Sequence, residues 1–600
     1  MSKILKNLVL IFFLYLLITR PAYSVNITGA NTINSDSTTV QTYNADDTSL
    51  TITNSSTLSR TGQAPVNINE KENGTLTIHS GSSLTATSHN TIQGKDQKGL
   101  TVTNSGTISS GGSKAINLLN AQDTNVTNNA GGIIKSNTNT ITLTENSGTA
   151  NNVTINNSGQ IFAEEVSSGT TNNNAIKSES DTNNMTLINN AGGHIYNNNS
   201  SATALQQATV FIAAESSATL TNSGTIENKA GPENYAIRIA GSGVTVTLKD
   251  SGKVIGKINV ADSGHTIKFQ HGLGRAYFYD IDGSGTYTLQ DLDGNQVVKG
   301  SAGSVGQGGS ETIDEMLSYK SINLRNFLNR YENSNLFNHE GGWGELYSSL
   351  LNRSEDSNSL AMEYNLINLG ANLIYPLENS NFIMMFEGGV QDFAKDYRIT
   401  YQDISGGIHI LENDKFFNLD TFITGGVTLK DGKRKVLTNT VSSGTVDSNS
   451  NFQTYDIQIG AKKKNFKIIP DIGFTSSMSI TPTYDESKFY SWRNRVVGNL
   501  SIYLSDDYLI RDDKEEKLNL NWALDLRSAI GDDEQIYSVN GTTATYKPDN
   551  DLKREISLSA SMNYEKYIFE NSKIGVAYYG LLSSQNTLSL GGNAFYKMNF

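Results

Sequence analysis

The stretch Leu518-Asn519-Leu520-Asn521-Trp522-Ala523-Leu524-Asp525-Leu526-Arg527 decides the fold of the second half of this chain. Side chains of an extended strand alternate between two faces. Leu518, Leu520, Trp522, Leu524 and Leu526 therefore share one face, and Lys517, Asn519, Asn521, Asp525 and Arg527 lie opposite. The pattern returns where Ile556, Leu558, Ala560, Met562 and Tyr564 oppose Glu555, Ser557, Ser559, Ser561 and Glu565. It returns again at the end, with Leu588, Leu590, Ala594, Tyr596, Met598 and Phe600 on one face. One apolar and one polar face over about 10–16 residues is what a strand needs to cross a bilayer in a closed barrel, apolar toward lipid and polar toward the lumen.

Twelve such segments run from Trp343 to the end: 342–351, 362–376, 380–391, 397–412, 415–430, 451–464, 466–482, 488–510, 516–531, 551–568, 572–583 and 587–600. The connections at 378–380, 413–414 and 570–572 are tight, and those at 431–450 and 532–550 are long and polar. Short turns belong on the periplasmic side and long loops outside. Residues 333–600 therefore read as a 12-stranded antiparallel outer-membrane β-barrel.

The whole chain has 600 residues, with 46 Lys and Arg against 59 Asp and Glu, a formal charge of −13. That balance argues against a broad basic nucleic-acid footprint. There is no Cys, which excludes disulfides, thiolate metal sites and a thiol nucleophile. Only 36% of residues are apolar, a fraction that would suggest disorder if it were evenly spread. It is not evenly spread. Thirty-seven of the fifty-one aromatics, including all three Trp, fall in 301–600, and ten fall in 25–300.

Residues 1–24 are an address. Lys3 and Lys6 precede an apolar run from Leu8 to Ile18, and Ala22-Tyr23-Ser24 places small residues at a cleavage site. This is the signature of a secretory signal peptide cut between Ser24 and Val25.

Residues 25–260 repeat one short phrase. Leu50-Thr-Ile-Thr-Asn-Ser-Ser-Thr-Leu58 is followed by Leu76-Thr-Ile-His-Ser-Gly-Ser-Ser-Leu84 and Leu100-Thr-Val-Thr-Asn-Ser-Gly-Thr-Ile108. Related phrases end at Ile133, Ile161, Ile195, Ile226 and Val254. The small residue in the turn recurs at Ser55, Ser80, Ser105, Ala130, Ser158, Ala191, Ser223 and Ser251, every 25–33 residues. Strand alternation at such a period predicts a solenoid, here a right-handed parallel β-helix of one coil per repeat. Small apolar residues stack inward, and Asn, Ser and Thr at the turns form ladders along the axis.

Residues 261–310 are expected to close the rod and lead away from it. Tyr277-Phe278-Tyr279 and Tyr287-Thr288-Leu289 suit a capping hairpin, and Ser301–Ser310 a flexible linker. Asp280, Asp282, Ser284, Gly285 and Asp291 fit a calcium-loop template with Asp in place of its final Glu. Strand-like flanks favour a plain turn. Residues 311–332 then form a helical stretch, with Ile313, Leu317, Leu324, Phe327 and Leu328 as its apolar stripe. A helix in this place can plug the barrel lumen, setting Lys320, Arg325 and Arg330 against lumen carboxylates such as Glu387, Asp420 or Asp525.

The order of signal peptide, β-helix, linker helix, twelve-strand barrel and terminal Phe600 resembles the monomeric (type Va) autotransporters, over essentially the whole chain. The resemblance implies an outer-membrane translocator in a Gram-negative bacterium, with the passenger on the cell surface. It also implies insertion with the help of the barrel-assembly machinery and periplasmic chaperones, guided by a C-terminal signal at Tyr596, Met598 and Phe600. Some members release the passenger between adjacent Asn residues of the helix. Asn323, Asn326 and Asn329 are not adjacent, so the passenger is expected to stay attached.

The passenger carries no G-x-S-x-G, H-E-x-x-H or phosphate-loop motif, and none of the seven His is paired at metal-ligand helical spacing. Glu164-Glu165 and Asp46-Asp47 are adjacent, which on a strand points them to opposite faces. The expectation is a non-enzymatic passenger without a cofactor, an adhesin or aggregation factor meeting host surfaces or identical rods. The alternative is a β-helix enzyme that cleaves polysaccharides or esters.

Overall fold

The computed structural model describes residues 24–600, apart from 145–149, 165–172, 180–181, 214–217, 273, 299–301, 305–311, 334–340, 355–362, 379, 394–395, 414–418, 464–469, 488, 514, 533, 547–553, 570 and 600. The signal segment and Phe600 thus lie outside the described residues. The chain divides into two compact units. One is Met1–His271 with Tyr279–Asp293 and Leu437–Thr445, and the other is Gly272–Phe278 with Gly294–Val436 and Val446–Phe600.

The first unit is a parallel β-helix. Most of its described strands form three sheets of eleven, eleven and eight members, each pairing in parallel with the strand one coil before it, and Ala150–Asn151 pairs with Thr182–Asn183 in a small two-stranded sheet. At a spacing of about 4.8 Å, eleven stacked strands extend roughly 48 Å. Inward columns follow the sequence phrase. Leu50, Leu76, Val102, Val126, Ile155, Leu187, Leu220, Val246 and Ile267 stack in one sheet. Leu58, Leu84, Ile108, Ile134, Ile161, Ile195, Ile226 and Val254 stack in another. All of these are buried.

Two details differ from the sequence phrase. Ile134, not Ile133, takes the inward place in its coil. Leu76 pairs with Val102 and not with Leu100, a slip of two residues. Such a slip keeps every side chain on its own face, so alternation cannot reveal it. It arises because the turn shortens from His79-Ser-Gly-Ser82 to Ser105-Gly106.

The slip places Asn104 inside the coil. Asn104, Asn128, Asn157, Asn189 and Asn222 are all buried and stacked. Each Nδ2 donates to the next Oδ1, at 2.8, 2.8, 2.9 and 2.8 Å. Ile78 and Leu248 occupy the same column on either side. The amides also bind the tight turns: Gly159 N–H donates to Asn157 Oδ1 at 3.2 Å, and Asn157 Nδ2 donates to Gly159 O at 3.1 Å. Gly159 is required there because a Cβ would stand 2.3 Å from Gly132 O of the preceding coil.

Parallel pairing runs on to Asp291. Ile281–Asp282 pairs with Ile258–Asn259, and Tyr287–Asp291 with His265–Phe269. This stretch is a further coil and not the capping hairpin expected from its aromatics. Tyr279 instead stacks on Phe269 inside the unit, ring centroids 5.5 Å apart. The calcium template is also lost. Asp280 and Asp282 stand 3.6 and 3.9 Å from Lys257 Nζ, Asp282 accepts from Asn259, and Asp291 ends a strand.

His265 gives these coils a pH dependence. Val244 N–H donates to its buried Nδ1 at 3.3 Å, which requires an unprotonated nitrogen. Burial holds the imidazole below its usual range, against the opposing pull of Asp262. The unfolded chain therefore binds a proton that the folded coil refuses, and stability falls as pH drops through about 6.5. Limited proteolysis of residues 244–291 should be faster at about pH 5.5 than at about pH 7.5, and His265→Gln should flatten that difference.

The second unit is a barrel. Its strands are β1 (Gly341–Arg353), β2 (Tyr364–Leu377), β3 (Ser380–Phe393), β4 (Tyr397–Asn413), β5 (Leu419–Thr438), β6 (Thr445–Lys463), β7 (Asp471–Thr481), β8 (Arg495–Asp512), β9 (Glu516–Gly531), β10 (Arg554–Phe569), β11 (Ser572–Ser583) and β12 (Thr587–Asn599). Neighbours are hydrogen-bonded in this order, and β1 pairs antiparallel with β12, so the barrel is closed. The expected loop at 431–450 is mostly strand, since β5 and β6 continue to a short tip between Thr438 and Thr445. The long connection after β9 contains a hairpin, Gln535–Val539 with Thr542–Tyr546.

Candidate functional site: the helix in the barrel lumen

The alternation that decided the fold sorts the wall into two surfaces. On β9, Leu520, Leu524 and Leu526 are exposed, while Asn519, Asn521, Asp525 and Arg527 are buried on the inner side. The outer belt continues around the barrel through residues such as Leu346 (66% exposed), Leu369 (67%), Ile404, Ile457, Ile502, Ile556 and Leu590. A continuous apolar belt on a closed barrel with a polar interior is stable only in lipid. This is an outer-membrane barrel. Among the described residues no helix is long and apolar enough to cross a membrane.

Helix α1 (Thr312–Asn333) lies against the inner surface on many sides. Leu324, Phe327, Leu328 and Tyr331 pack on Trp343, Ile374, Ile383, Met385, Phe422 and Phe595. Met316 and Tyr319 pack toward Leu351, Tyr364, Phe393 and Tyr397, and Leu317 toward Phe452 and Val497. The C-terminal part of α1 is thus at the end where β1 begins and β12 finishes. Its earlier part is at the end bearing the longer connections.

Its cations each meet a carboxylate. Arg325 makes a two-pronged pair with Asp525, one prong at 3.0 Å, and its guanidinium lies 4.5 Å from the Tyr503 ring centroid. Arg330 makes a second fork to Glu345 at 2.7 and 3.1 Å. Asn372 and Asn593 complete that carboxylate at 2.7 and 3.0 Å. Lys320 bridges Asp403 and Asp456 at 2.8 and 2.7 Å. Near the helix end Glu332 meets Lys462 at 2.6 Å and His409 at 3.3 Å.

Of the carboxylates singled out from the sequence, Asp525 meets a helix cation. Glu387 accepts from the hydroxyls of Tyr347 and Tyr401, each at 2.6 Å, and Asp420 is buried on the inner face of β5. Glu345, Asp403 and Asp456 were missed. The signal was present in principle, since each lies on the polar face of a strand, but alternation gives the face and not the height along the lumen. Tyr596 and Met598 sit on the outer face of β12 (42% and 40% exposed). Ser24 and Val25 open the first strand, Ser24–Ile27.

Tyr503 fixes Arg325 from below through a close approach. A Cβ on Gly473 would stand 2.2 Å from its ring. Gly473→Val is expected to push the ring off the guanidinium and cost about 1–3 kcal/mol by overpacking. The check is the temperature at which the folded barrel converts to the unfolded band on a detergent gel.

On the β-helix, charged groups pair locally: Lys135 with Glu164 at 2.6 Å, Lys177 with Glu179 at 2.9 Å, and His194 with Glu227 at 3.0 Å. The His194 hydrogen bond holds the Glu227 carboxyl below its usual range.

No protein-family model matches the chain, and no curated protein matches it by sequence. Among solved structures, it is similar to the translocator domain of the autotransporter NalP from Neisseria meningitidis, at 10% identity and a TM-score of 0.33, over 49% of this chain and 100% of that one. The β domain of the Bordetella autotransporter Brka gives 9% and 0.30, over 43% and 99%. The transport unit of the autotransporter AIDA-I from Escherichia coli gives 11% and 0.27, over 44% and 91%. At such low similarity these likenesses add nothing to the geometry above.

Proposed function

We propose that the chain is a monomeric autotransporter whose barrel sits in the outer membrane and presents residues 25–300 on the cell surface as a non-enzymatic adhesin or aggregation factor. The observation that supports this is the direction of α1. Its C-terminal end meets Trp343 and Phe595 beside the ends of β1 and β12, while Met316 and Tyr319 lie at the opposite mouth. The N-terminal end of the helix is therefore at the mouth with the long connections, the outer one. Residues 1–24 direct export across the inner membrane and are then removed between Ser24 and Val25. Barrel insertion uses the assembly machinery and chaperones, read through Tyr596, Met598 and Phe600. Lys320, Arg325 and Arg330 then seat the helix once the passenger has crossed. A rod lined with Ser, Thr and Asn offers hydrogen-bond donors and acceptors to glycans, matrix or another copy.

The test compares bacteria expressing the full chain with bacteria expressing it without residues 25–300. The full chain is expected to cause cell clumping or adhesion to host surfaces that protease treatment of intact cells removes. Equal behaviour of the two strains would sink the adhesin reading.

A further inference from the structure

The membrane-edge end of α1 carries an arrangement that seating the helix does not require. Lys462 points inward from β6, and its ammonium donates to Asn329 Oδ1 at 2.7 Å and to Glu332 Oε2 at 2.6 Å. His409 Nε2, from β4, stands 3.3 Å from Glu332 Oε1. The side chains of Lys462, Glu332 and His409 are 9%, 4% and 1% exposed. Phe422 fills the space before Gly460, where a Cβ would meet its ring at 2.3 Å, and so lies beside Lys462 on the same face of β6. An amine, a carboxamide and a carboxylate are thus held together in a shielded site.

An ion pair alone needs only Lys462 and Glu332. The carboxamide placed on the amine adds an electrophile, and the carboxylate touching the amine adds a proton relay. Those are the three parts of an amide transfer. We propose that Lys462 and Asn329 join in an isopeptide bond that forms without an enzyme and fastens α1 to the barrel wall.

The ammonium of Lys462 gives a proton to Glu332, and the freed amine attacks Asn329 Cγ. A small rotation of the Asn329 side chain brings that carbon within the ~3–3.5 Å of a near-attack geometry. The new C–N bond forms as the carbonyl π pair moves onto oxygen. Glu332 relays a proton from the attacking nitrogen to the departing one. The old C–N bond breaks, ammonia leaves, and the carbonyl re-forms. One amide replaces another, so no oxidant, reductant or energy source is consumed. His409 is a positioning residue that holds the second oxygen of Glu332. The bond would tie the last turn of α1 to β6, so that the helix cannot withdraw once it has seated.

The test is peptide mass spectrometry on full-length chain taken from outer membranes, using only the band that stays folded on an unheated detergent gel. Trypsin should fail to release Asn326–Arg330 as a linear peptide. It should yield instead a branched peptide carrying Asn329 and Lys462, lighter than its two parts by one ammonia. Lys462→Arg, which keeps the cation, and Asn329→Ala should each restore the linear peptide in the folded band. Glu332→Gln should slow bond formation by about a hundredfold, the scale of a lost acid–base relay. Finding only linear peptides in the folded wild-type band overturns the proposal. So does a branched peptide that persists in Lys462→Arg.

Discussion

Arg325→Ala should destabilise the barrel by about 3–5 kcal/mol, the cost of breaking a buried pair and leaving one charge behind. The side chains of Arg325 and Asp525 are 3% and 2% exposed. The guanidinium also lies over Tyr503, and Asp525 accepts from Ser501 at 3.3 Å. Without Arg325 the carboxylate faces a lumen that cannot hydrate it fully. Adding Asp525→Asn removes the stranded charge, so the double variant should recover most of the loss. The midpoint of heat conversion on detergent gels reads stability directly. Conductance in planar bilayers gives a second reading, because a loosened helix should add open-channel events that the wild type lacks. A single variant as heat-resistant as wild type would show that the pair does not anchor the helix.

The second large effect belongs to the β-helix. Asn157 is the middle of five stacked asparagines, donating to Asn189 and accepting from Asn128. Asn157→Ala leaves the oxygen of Asn189 without its donor and the N–H of Gly159 without its acceptor, each costing about 1–3 kcal/mol where water is excluded, while the amide of Asn128 keeps Gly132 O and Gln160 O. Asn157→Leu fills the space but strands the same groups, so it should be no better. In contrast, Asn222→Leu at the end of the column extends the apolar stack begun by Leu248 and should cost less. Hydrogen exchange of the amides at 126–134 and 187–195 measures the difference. Exchange in Asn157→Ala should quicken in both neighbouring coils and leave those near Leu50 unchanged.

How much of this was legible follows from what alternation can carry. Leu518 to Arg527 gave the two faces of β9 correctly, because period two depends only on the pleat. The same reasoning found all twelve barrel strands. It ended β5 near residue 430, since Asp431-Gly-Lys-Arg-Lys435 carries no apolar side chain on either face. In the β-helix, the recurrence of Leu and Ile announced coils. It could not show that Asn104 points inward beside Asn128, because an inward polar residue looks like the start of a turn. Only backbone pairing, with its two-residue slip, reveals the ladder. The lumen partners were half visible: Asp525 is on the inner face of β9 by alternation, but Glu345, Asp403 and Asp456 needed the heights of three other strands.

The β-helix is expected to stand outside the cell, with the tight turns of the barrel facing the periplasm. The native chain has no Cys, so a single introduced thiol reports its own side of the membrane. Thr75 is exposed on the β-helix, and Asn571 is exposed in the tight turn between β10 and β11. A membrane-impermeant maleimide added to intact cells should label Thr75→Cys fully and Asn571→Cys only after the outer membrane is opened. Labelling of Thr75→Cys that also waits for the membrane to be opened would show that the β-helix is not on the cell surface.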